Sequence, residues 1–215
     1  MYKALIFDLD GTLINSLPYH FLAFKEILLE HNIRVKDAYL RRLIGMPTLA
    51  ILRELKQGYG FRENIEDLRE ERRYHYFKFM GMRNLLFPGV KRTLSKLRLS
   101  YKLALATGSS RVIFLHSTDK DFQGLFDVVS TINDVRRGKP SPEQFVKVAN
   151  KLRVQLGDCL SIGDSSYDAM ASKRAGMDFV GVTTGFTKTG QLKPLGPVAI
   201  IDSVNRLPSF LARFK

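Results

Sequence analysis

The stretch KALIFDLDGTLI, residues 3–14, decides the fold of this chain. It begins with a short apolar run, Lys3 to Phe7, of the kind found in strands that are buried on both faces. The run ends in two carboxylates, Asp8 and Asp10, and then Gly11, which permits a sharp change of chain direction. The stretch therefore predicts a buried strand that delivers acidic side chains at its carboxyl end.

The region that follows has the periodicity of helices. Apolar side chains fall on one helical face, among them Phe21, Phe24 and Ile27. Glycine-containing breaks divide the region into about four helices. Because this region interrupts a strand-rich pattern, it predicts a small all-helical domain inserted over residues 16–85.

The remainder of the chain alternates between apolar runs of strand length and helical segments. The predicted strands are residues 102–106, 126–130, 159–162, 179–183 and 198–201. Strands that alternate with helices form a parallel sheet covered on both faces. The predicted fold class is therefore α/β, with a Rossmann-like parallel-sheet core (1–15 and 86–215) and a helical cap (16–85). The connections near residues 15–18 and 86–89 are predicted hinges.

Polar residues follow four of the predicted strands, at the point where each strand ends. They are Asp8 and Asp10; Thr107, Gly108 and Ser109; Lys139; and Asp164. In open parallel sheets, ligands bind beyond the carboxyl ends of the strands. We therefore expect these distant parts of the chain to form one site.

The acidic residues in this set favour phosphate chemistry with a divalent cation. Asp8 and Asp10 are close at a strand end, and neighbouring carboxylates stay ionised when they bind a cation. With Asp164 they offer the hard oxygen ligands that suit Mg²⁺. One aspartate can attack a phosphoryl group and form an aspartyl-phosphate, while a second carboxylate transfers protons. The sequence thus predicts Mg²⁺-dependent phosphoryl transfer.

Further residues fit the same chemistry. The hydroxyl of Thr107 and the amides of Gly108 and Ser109, at a predicted helix start, are suited to hold a phosphate group. Lys139 would neutralise charge on the phosphoryl oxygens and on the attacking carboxylate. Asp168, one helical turn after the last of the acids, would orient the water around the metal rather than bind the metal itself.

Four segments, taken together, resemble the motifs of the haloacid dehalogenase-like hydrolases. They are FDLDGTL (7–13), LATGS (105–109), RGKP (137–140) and IGDSSYD (162–168), in the family's order, and the resemblance covers essentially the whole chain. It implies that Asp8 is the nucleophile and Asp10 the general acid and base. It also implies that Asp8, Asp164 and the main-chain carbonyl of Asp10 bind Mg²⁺. The helical insert resembles the cap of the subfamily that includes phosphoglycolate phosphatases and β-phosphoglucomutases.

Departures from the resemblance narrow the expected reaction. The dehalogenases replace the second acid of the first motif, whereas this chain keeps Asp10, so dehalogenation is not expected. The region around His20 is similar to that of β-phosphoglucomutases, which makes His20 a candidate substrate-binding residue. Those mutases carry a cap arginine in the segment that here reads Gly45-Met46-Pro47-Thr48, and a Glu where this chain has Gly163. A phosphatase for a small phosphate monoester is therefore favoured over a sugar-phosphate mutase.

The chain is strongly basic, with 34 lysines and arginines, 21 aspartates and glutamates, and a formal net charge of +13. The positive residues are scattered in pairs such as Arg72-Arg73. This pattern favours a solvated basic surface over a nucleic-acid-binding site. Arg41 and Arg42 are likewise expected on a solvated helix face. A non-catalytic family member that binds an anion or nucleic acid is the lower alternative.

Composition also bears on where the protein works. Cys159 is the single cysteine, which excludes an intrachain disulfide. No apolar run approaches the roughly 18–20 residues of a membrane span, and the first residues do not resemble a secretion signal. We therefore expect a cytoplasmic enzyme whose partner is a small-molecule phosphate, with no nucleic-acid or membrane partner. The sequence leaves monomer and homodimer open.

Overall fold

The computed structural model describes residues 1–214, which form a six-stranded sheet surrounded by helices. The strands are β1 (Ala4–Phe7), β2 (Lys102–Ala106), β3 (Val128–Ser130), β4 (Cys159–Gly163), β5 (Asp178–Val182) and β6 (Ala199–Ile201). All of them pair in parallel, in the order β3-β2-β1-β4-β5-β6. This confirms the predicted α/β class with a parallel sheet.

Helices connect the strands and cover both faces of the sheet. They are α1 (Leu17–Glu30), α2 (Asp37–Leu43), α3 (Thr48–Tyr59), α4 (Ile65–Met80), α5 (Val90–Leu97), α6 (Arg111–Ser117), α7 (Lys120–Gln123), α8 (Glu143–Leu152), α9 (Ser166–Ala175), α10 (Thr189–Leu192) and α11 (Leu207–Leu211). The first four lie between β1 and α5, and we refer to them as the helical insert. Within residues 1–214, none of the helices has the length and apolar character needed to cross a membrane.

Alternate residues of β1 pack on opposite faces of the sheet. Leu5 and Phe7 belong to one apolar cluster, whereas Ala4 and Ile6 belong to another. All four side chains are fully buried. Because both faces are covered, the strand is a continuous apolar run and not an alternating pattern.

The register of the sheet aligns the ends of its central strands. Phe7 of β1 is paired with Leu105 of β2 and with Ile162 of β4. Residues that follow these positions therefore emerge at the same edge of the sheet. That edge carries the polar residues that the sequence placed at strand ends.

The helical insert has an apolar cluster of its own. Phe24, Ile27 and Leu52 belong to it, and each is almost fully buried. Phe186, in the loop after β5, packs against this cluster from outside the insert. The insert is therefore in contact with the loops at the edge of the sheet.

Observed and predicted elements differ at their ends and in short segments. The predicted final helix, residues 204–214, contains one α-helix of five residues flanked by 3₁₀ turns. The helices α7 and α10 were missed, since four residues are too few to show a periodic pattern. The central elements that position the polar residues agree with the predicted ones.

Candidate active site

A buried network of two carboxylates and one lysine lies at the carboxyl edge of the sheet. Nζ of Lys139 donates to Oδ1 of Asp8 at 2.7 Å and to Oδ1 of Asp168 at 2.6 Å. All three residues are buried. Burial alone would lower the pKa of Lys139, but Asp168 and Asp8 outweigh that effect and raise this pKa above its ordinary value. Lys139 is therefore a fixed positive charge beside Asp8.

The carboxylates around this lysine carry an excess of negative charge. Burial raises the pKa of Asp8 to about 7; Asp168 and Asp10 add to the rise, and Lys139 opposes it. Burial and the charge of Asp8 likewise raise the pKa of Asp164 well above its ordinary value. Oxygen atoms of Asp8, Asp164 and Asp168 lie within 4.8 Å of one another. Such a group gains stability from a divalent cation.

Asp164 and Asp168 are held in different ways. Oδ1 of Asp164 accepts from the hydroxyl of Thr12 at 2.9 Å. Its Oδ2 lies so close to Gly185 that a Cβ atom at that position would be 1.7 Å away. Asp168 uses both oxygens, since Oδ1 accepts from the lysine and Oδ2 accepts from the amide and the hydroxyl of Ser165. The carboxylate of Asp168 is therefore fully engaged within the protein.

Asp10 receives four side-chain hydrogen bonds. Its Oδ1 accepts from the Ser16 hydroxyl at 2.6 Å and lies 3.0 Å from Nε2 of His20. Its Oδ2 accepts from the hydroxyls of Thr107 at 3.3 Å and Ser109 at 2.7 Å. Burial would raise the pKa of Asp10, but His20, Ser16 and Ser109 hold this pKa well below its usual range. Asp10 is therefore ionised and held in one orientation.

The loop after β2 is fixed from two sides. The amide of Ser109 donates to the hydroxyl of Thr107 at 3.0 Å, so that amide is engaged inside the loop. The carbonyl of Thr107 accepts from the side chain of Gln144 at 2.8 Å. A Cβ atom on Gly108 would lie 3.8 Å from the main-chain nitrogen of Pro47. The loop thus bridges Asp10 and the helical insert.

Arg72 was expected on a solvated surface, and this expectation is wrong. The side chain extends inward from α4 and the residue is only 2 % exposed. Its Nη2 donates to Nδ1 of His20, which leaves Nε2 of His20 to donate to Asp10. The imidazole also stacks on the ring of Tyr76, with 4.4 Å between the ring centroids. Burial and the charge of Arg72 lower the pKa of His20, so the imidazole is neutral.

Arg41 and Arg42 are exposed, as expected. Arg41 nevertheless joins two parts of the molecule, because its Cζ lies 4.0 Å from the ring centroid of Phe21 and 5.1 Å from that of Phe186. Arg42 instead lies over the ring of Tyr39, within its own helix. Neither arginine lines the cavity beside Asp8.

A segment of the helical insert covers part of this cavity. A Cβ atom on Gly45 would lie 3.2 Å from Cβ of Ser165, and one on Gly138 would lie 2.5 Å from Cγ of Pro47. The segment 45–47 therefore packs directly on the loops after β4 and β3. The space that remains beside Asp8, which we call the catalytic cavity, measures about 40 Å³.

The structure brings together all of the residues that the sequence predicted for the site. They are Asp8, Asp10, His20, Thr107, Gly108, Ser109, Lys139, Asp164 and Asp168. Sequence reasoning missed Ser16, Arg72 and Gly185. Of these three, only Ser16 had a local sequence signal, since serine is a typical N-cap residue just before a helix.

The match to known proteins agrees with this geometry. A sequence model of the haloacid dehalogenase-like hydrolases matches residues 5–182. The chain belongs to this family. This match confirms the predicted α/β core. It also confirms the predicted enzyme class, a hydrolase with phosphatases among its relatives.

Individual relatives cover nearly the whole chain. A β-phosphoglucomutase of Bacillus subtilis is 31 % identical, with 85 % of this chain and 84 % of the relative covered. A phosphoglycolate phosphatase of Colwellia psychrerythraea is 27 % identical over 98 % and 97 % of the two chains. The structure of a hydrolase from Pseudomonas syringae superposes with a TM-score of 0.86 at 28 % identity, covering 98 % of each chain. The subfamily predicted from the sequence is confirmed.

Proposed function

We propose that this enzyme hydrolyses a small-molecule phosphate monoester, with the carboxylate of Asp8 as the nucleophile. The observation that carries the proposal is the contact between Asp8 and Lys139, at the edge of the sheet where Asp10 is also fixed. The lysine binds Oδ1 of Asp8, and within residues 1–214 no hydrogen bond is made to Oδ2. That second oxygen is therefore available to attack.

The acidic group fits Mg²⁺. Three buried carboxylates lie together, and Lys139 bonds to only two of them, Asp8 and Asp168. The pKa values of Asp8 and Asp164 are raised, so a cation would relieve the repulsion in this group. Asp8, Asp164 and the main-chain carbonyl of Asp10 would hold the ion. Asp168 would stay outside the ligand set, because Lys139 and a neighbouring serine occupy its oxygens. When bound, Mg²⁺ would neutralise charge on the phosphoryl oxygens.

The reaction would proceed in two halves. In the first, Oδ2 of Asp8 forms a bond to phosphorus while the bond from phosphorus to the ester oxygen breaks. Asp10, ionised in the free enzyme, would first accept a proton from solvent as the negatively charged substrate binds beside it. It then gives that proton to the departing oxygen, which yields the alcohol and an aspartyl-phosphate. In the second half, Asp10 takes a proton from water, the water oxygen forms a bond to phosphorus, and the bond from phosphorus to Oδ2 of Asp8 breaks; Asp10 then returns its proton to solvent. Inorganic phosphate leaves and Asp8 is restored.

The hydrogen bonds that Asp10 accepts favour the protonation state that the second half of the reaction requires. Four donors and a lowered pKa favour the ionised carboxylate, which is the form that accepts a proton from water. Lys139 would offset negative charge on Asp8 and on the phosphoryl group in both halves.

We also propose that residues 16–85 act as a cap that opens and closes over the catalytic cavity. The two connections to the core are paired: the amide of Asn15 donates to the carbonyl of Leu85 at 2.7 Å, and that of Phe87 donates to the carbonyl of Leu13 at 3.1 Å. Paired connections of this kind allow the insert to rotate as a unit. Closure would exclude bulk water from the aspartyl-phosphate.

A sugar-phosphate mutase is the second candidate, favoured by the similarity to the B. subtilis β-phosphoglucomutase. A mutase would convert β-glucose 1-phosphate into glucose 6-phosphate when primed with a trace of bisphosphate. The phosphatase that we propose would release inorganic phosphate instead. Measurement of both products in one reaction separates the two candidates.

The nucleophile is tested with p-nitrophenyl phosphate in the presence of Mg²⁺. Asp8→Asn is expected to abolish turnover while the circular dichroism spectrum stays unchanged, and rapid quenching of the wild type should give a phosphate group on Asp8 by mass spectrometry. Asp37→Asn, an exposed residue of the insert, is the matched control. Full activity of Asp8→Asn would exclude Asp8 as the nucleophile.

The metal and the non-catalytic alternative have their own readouts. EDTA and Asp164→Asn should each remove turnover, and Mg²⁺ should raise the melting temperature of the wild type but not of Asp164→Asn.

If the wild type turns over no phosphate ester at all and releases a bound polyanion in high salt, the anion-binding alternative holds instead.

A further inference from the structure

Arg72 carries a positive charge into the interior without a carboxylate of its own. Its Nη2 is bound to His20, and its Nε is buried with no hydrogen-bond partner among residues 1–214. Its Cζ lies 4.8 Å from the ring centroid of Phe24 and 5.3 Å from that of Tyr76. Burial lowers the pKa of Arg72 to about 10, so the guanidinium is still charged at neutral pH. Buried charges and buried polar atoms without partners are rare and require an explanation.

The position of Arg72 offers that explanation. The residue lines the catalytic cavity and also a larger neighbouring space of about 240 Å³, which we call the outer cavity. Thr48 and Gly108 line both cavities, and Ser110 and Asn133 line the outer one. Arg72 therefore lies where the two cavities adjoin.

Two more arginines line the outer cavity, but both are paired with acids on α4. Arg69 lies 2.8 Å from Glu66, and Arg73 contacts Glu70. Within the part of the chain that the structure describes, Arg72 is the arginine of this cavity that has no such pair. The other polar side chains that line the outer cavity are uncharged or already have a partner within the protein.

We propose that Arg72 binds a second anionic group, a carboxylate or a phosphate, on the leaving group of the substrate. This inference rests on the phosphatase function proposed above. The phosphoryl group must enter the small catalytic cavity to reach Asp8, so the rest of the substrate extends past Arg72 into the outer cavity. A guanidinium presents paired donors that match carboxylate and phosphate oxygens, and its attraction to them is strong where water is excluded.

The inference defines a substrate class. The enzyme should act on small phosphate monoesters that carry a second negative charge near the ester oxygen, in preference to esters of neutral or cationic alcohols. Because Nη2 of Arg72 is bound to His20, the substrate anion would accept from the remaining donors of the guanidinium.

A matched substrate series tests the proposal. The first set comprises 2-phosphoglycolate, ethyl phosphate and phosphoethanolamine, whose leaving groups are of similar size but negative, neutral and positive. The second set comprises glucose 1,6-bisphosphate and glucose 6-phosphate. The wild type should prefer the substrate with the most negative leaving group in each set. In Arg72→Gln, any loss transmitted through His20 to Asp10 is common to all substrates. Relative to ethyl phosphate, kcat/KM for the preferred anionic substrate should therefore fall a further factor on the order of tenfold to a hundredfold, mainly through KM.

Two further variants separate binding from a structural role. Arg72→Lys keeps the charge and should recover part of the preference for anionic substrates, whereas a loss caused by disturbed packing would not follow charge. Lys78→Gln, on the exposed side of the same helix, should leave every rate unchanged. An equal loss for neutral and anionic substrates in Arg72→Gln would overturn the proposal, as would a wild type without preference. Comparison of the two substrate sets distinguishes a carboxylate from a second phosphate as the anion bound.

Binding measurements keep the inference separable from the proposed function. In an Asp8→Asn background, which cannot turn over substrate by the proposed route, 2-phosphoglycolate should bind more tightly than ethyl phosphate by calorimetry. Addition of Arg72→Gln should remove that difference. If no ester is hydrolysed by the wild type, the proposed function fails while this comparison still decides the role of Arg72.

Discussion

The ammonium group of Lys139 lies 2.7 Å from the carboxylate of Asp8, although the two residues are 131 positions apart in the chain. The same ammonium group lies 2.6 Å from Asp168, so one buried lysine joins the loops after β1 and β3 to the start of α9. Side-chain exposure is 1 % for the lysine. The lysine therefore holds the site together as well as tuning its charge.

Replacement of this lysine should damage both activity and stability. In Lys139→Met, Asp8 and Asp168 would be left buried without their counter-ion, so we expect a loss of about 3 kcal/mol in the free energy of unfolding. We also expect kcat to fall by about a hundredfold or more, because the phosphoryl charge loses its partner. Urea denaturation and p-nitrophenyl phosphate turnover measure the two effects. Lys151→Met, an exposed lysine on α8, is the control, and equal behaviour of both variants would contradict the prediction.

Gly185 should be required for the position of Asp164. A Cβ atom at position 185 would lie 1.7 Å from Oδ2 of Asp164, so Gly185→Ala must displace the carboxylate or its loop. A displacement of about 1 Å within an active site can cost a factor on the order of a hundred in rate. We expect at least a tenfold lower kcat/KM and a weaker response of the melting temperature to Mg²⁺. Gly190→Ala, where the added atom meets open space, should behave like the wild type.

Arg41 should favour the closed position of the helical insert. Its guanidinium contacts Phe21 on the insert and Phe186 on the core, and such a contact at an exposed site contributes roughly 0.5–1 kcal/mol. In Arg41→Ala we therefore expect KM to rise a few-fold, with a smaller change in kcat, in steady-state assays. Arg42→Ala is the matched control, because the guanidinium of Arg42 lies over Tyr39 of the insert. The main-chain carbonyl of Arg42, which accepts from the hydroxyl of Tyr167 in the core, is retained in this variant. A larger effect of the control variant would argue against this role.

Cys159 should be inert in the folded protein. Burial raises the pKa of this thiol to about 11, and the residue is fully buried in β4. At pH 8 the thiolate fraction is then only about one in a thousand, and it increases as the pH rises toward the pKa. We expect no labelling by iodoacetamide at pH 8 in buffer, by mass spectrometry, and complete labelling in denaturing urea. Rapid labelling of the native protein would show that β4 is accessible.

The sequence determined the core of the fold and most of the site. An apolar run that ends in Asp8 and Asp10 fixes those acids at a strand end by covalent adjacency alone. Parallel pairing then brings the ends of β1, β2 and β4 to one edge, where Thr107 and Asp164 also lie. These positions follow from local pattern and from the geometry of parallel sheets.

Tertiary structure alone decided where Arg72 lies and which groups surround Asp164. Arg72 stands in a charged helix whose pattern indicates solvent, yet it reaches His20, 52 positions away, because α4 packs against α1. In the same way, only the path of the loop after β5 brings Gly185 to the carboxylate. Local periodicity indicates which helix face is apolar, but the partner of a buried charge depends on how the elements pack, and that information is spread over the whole chain.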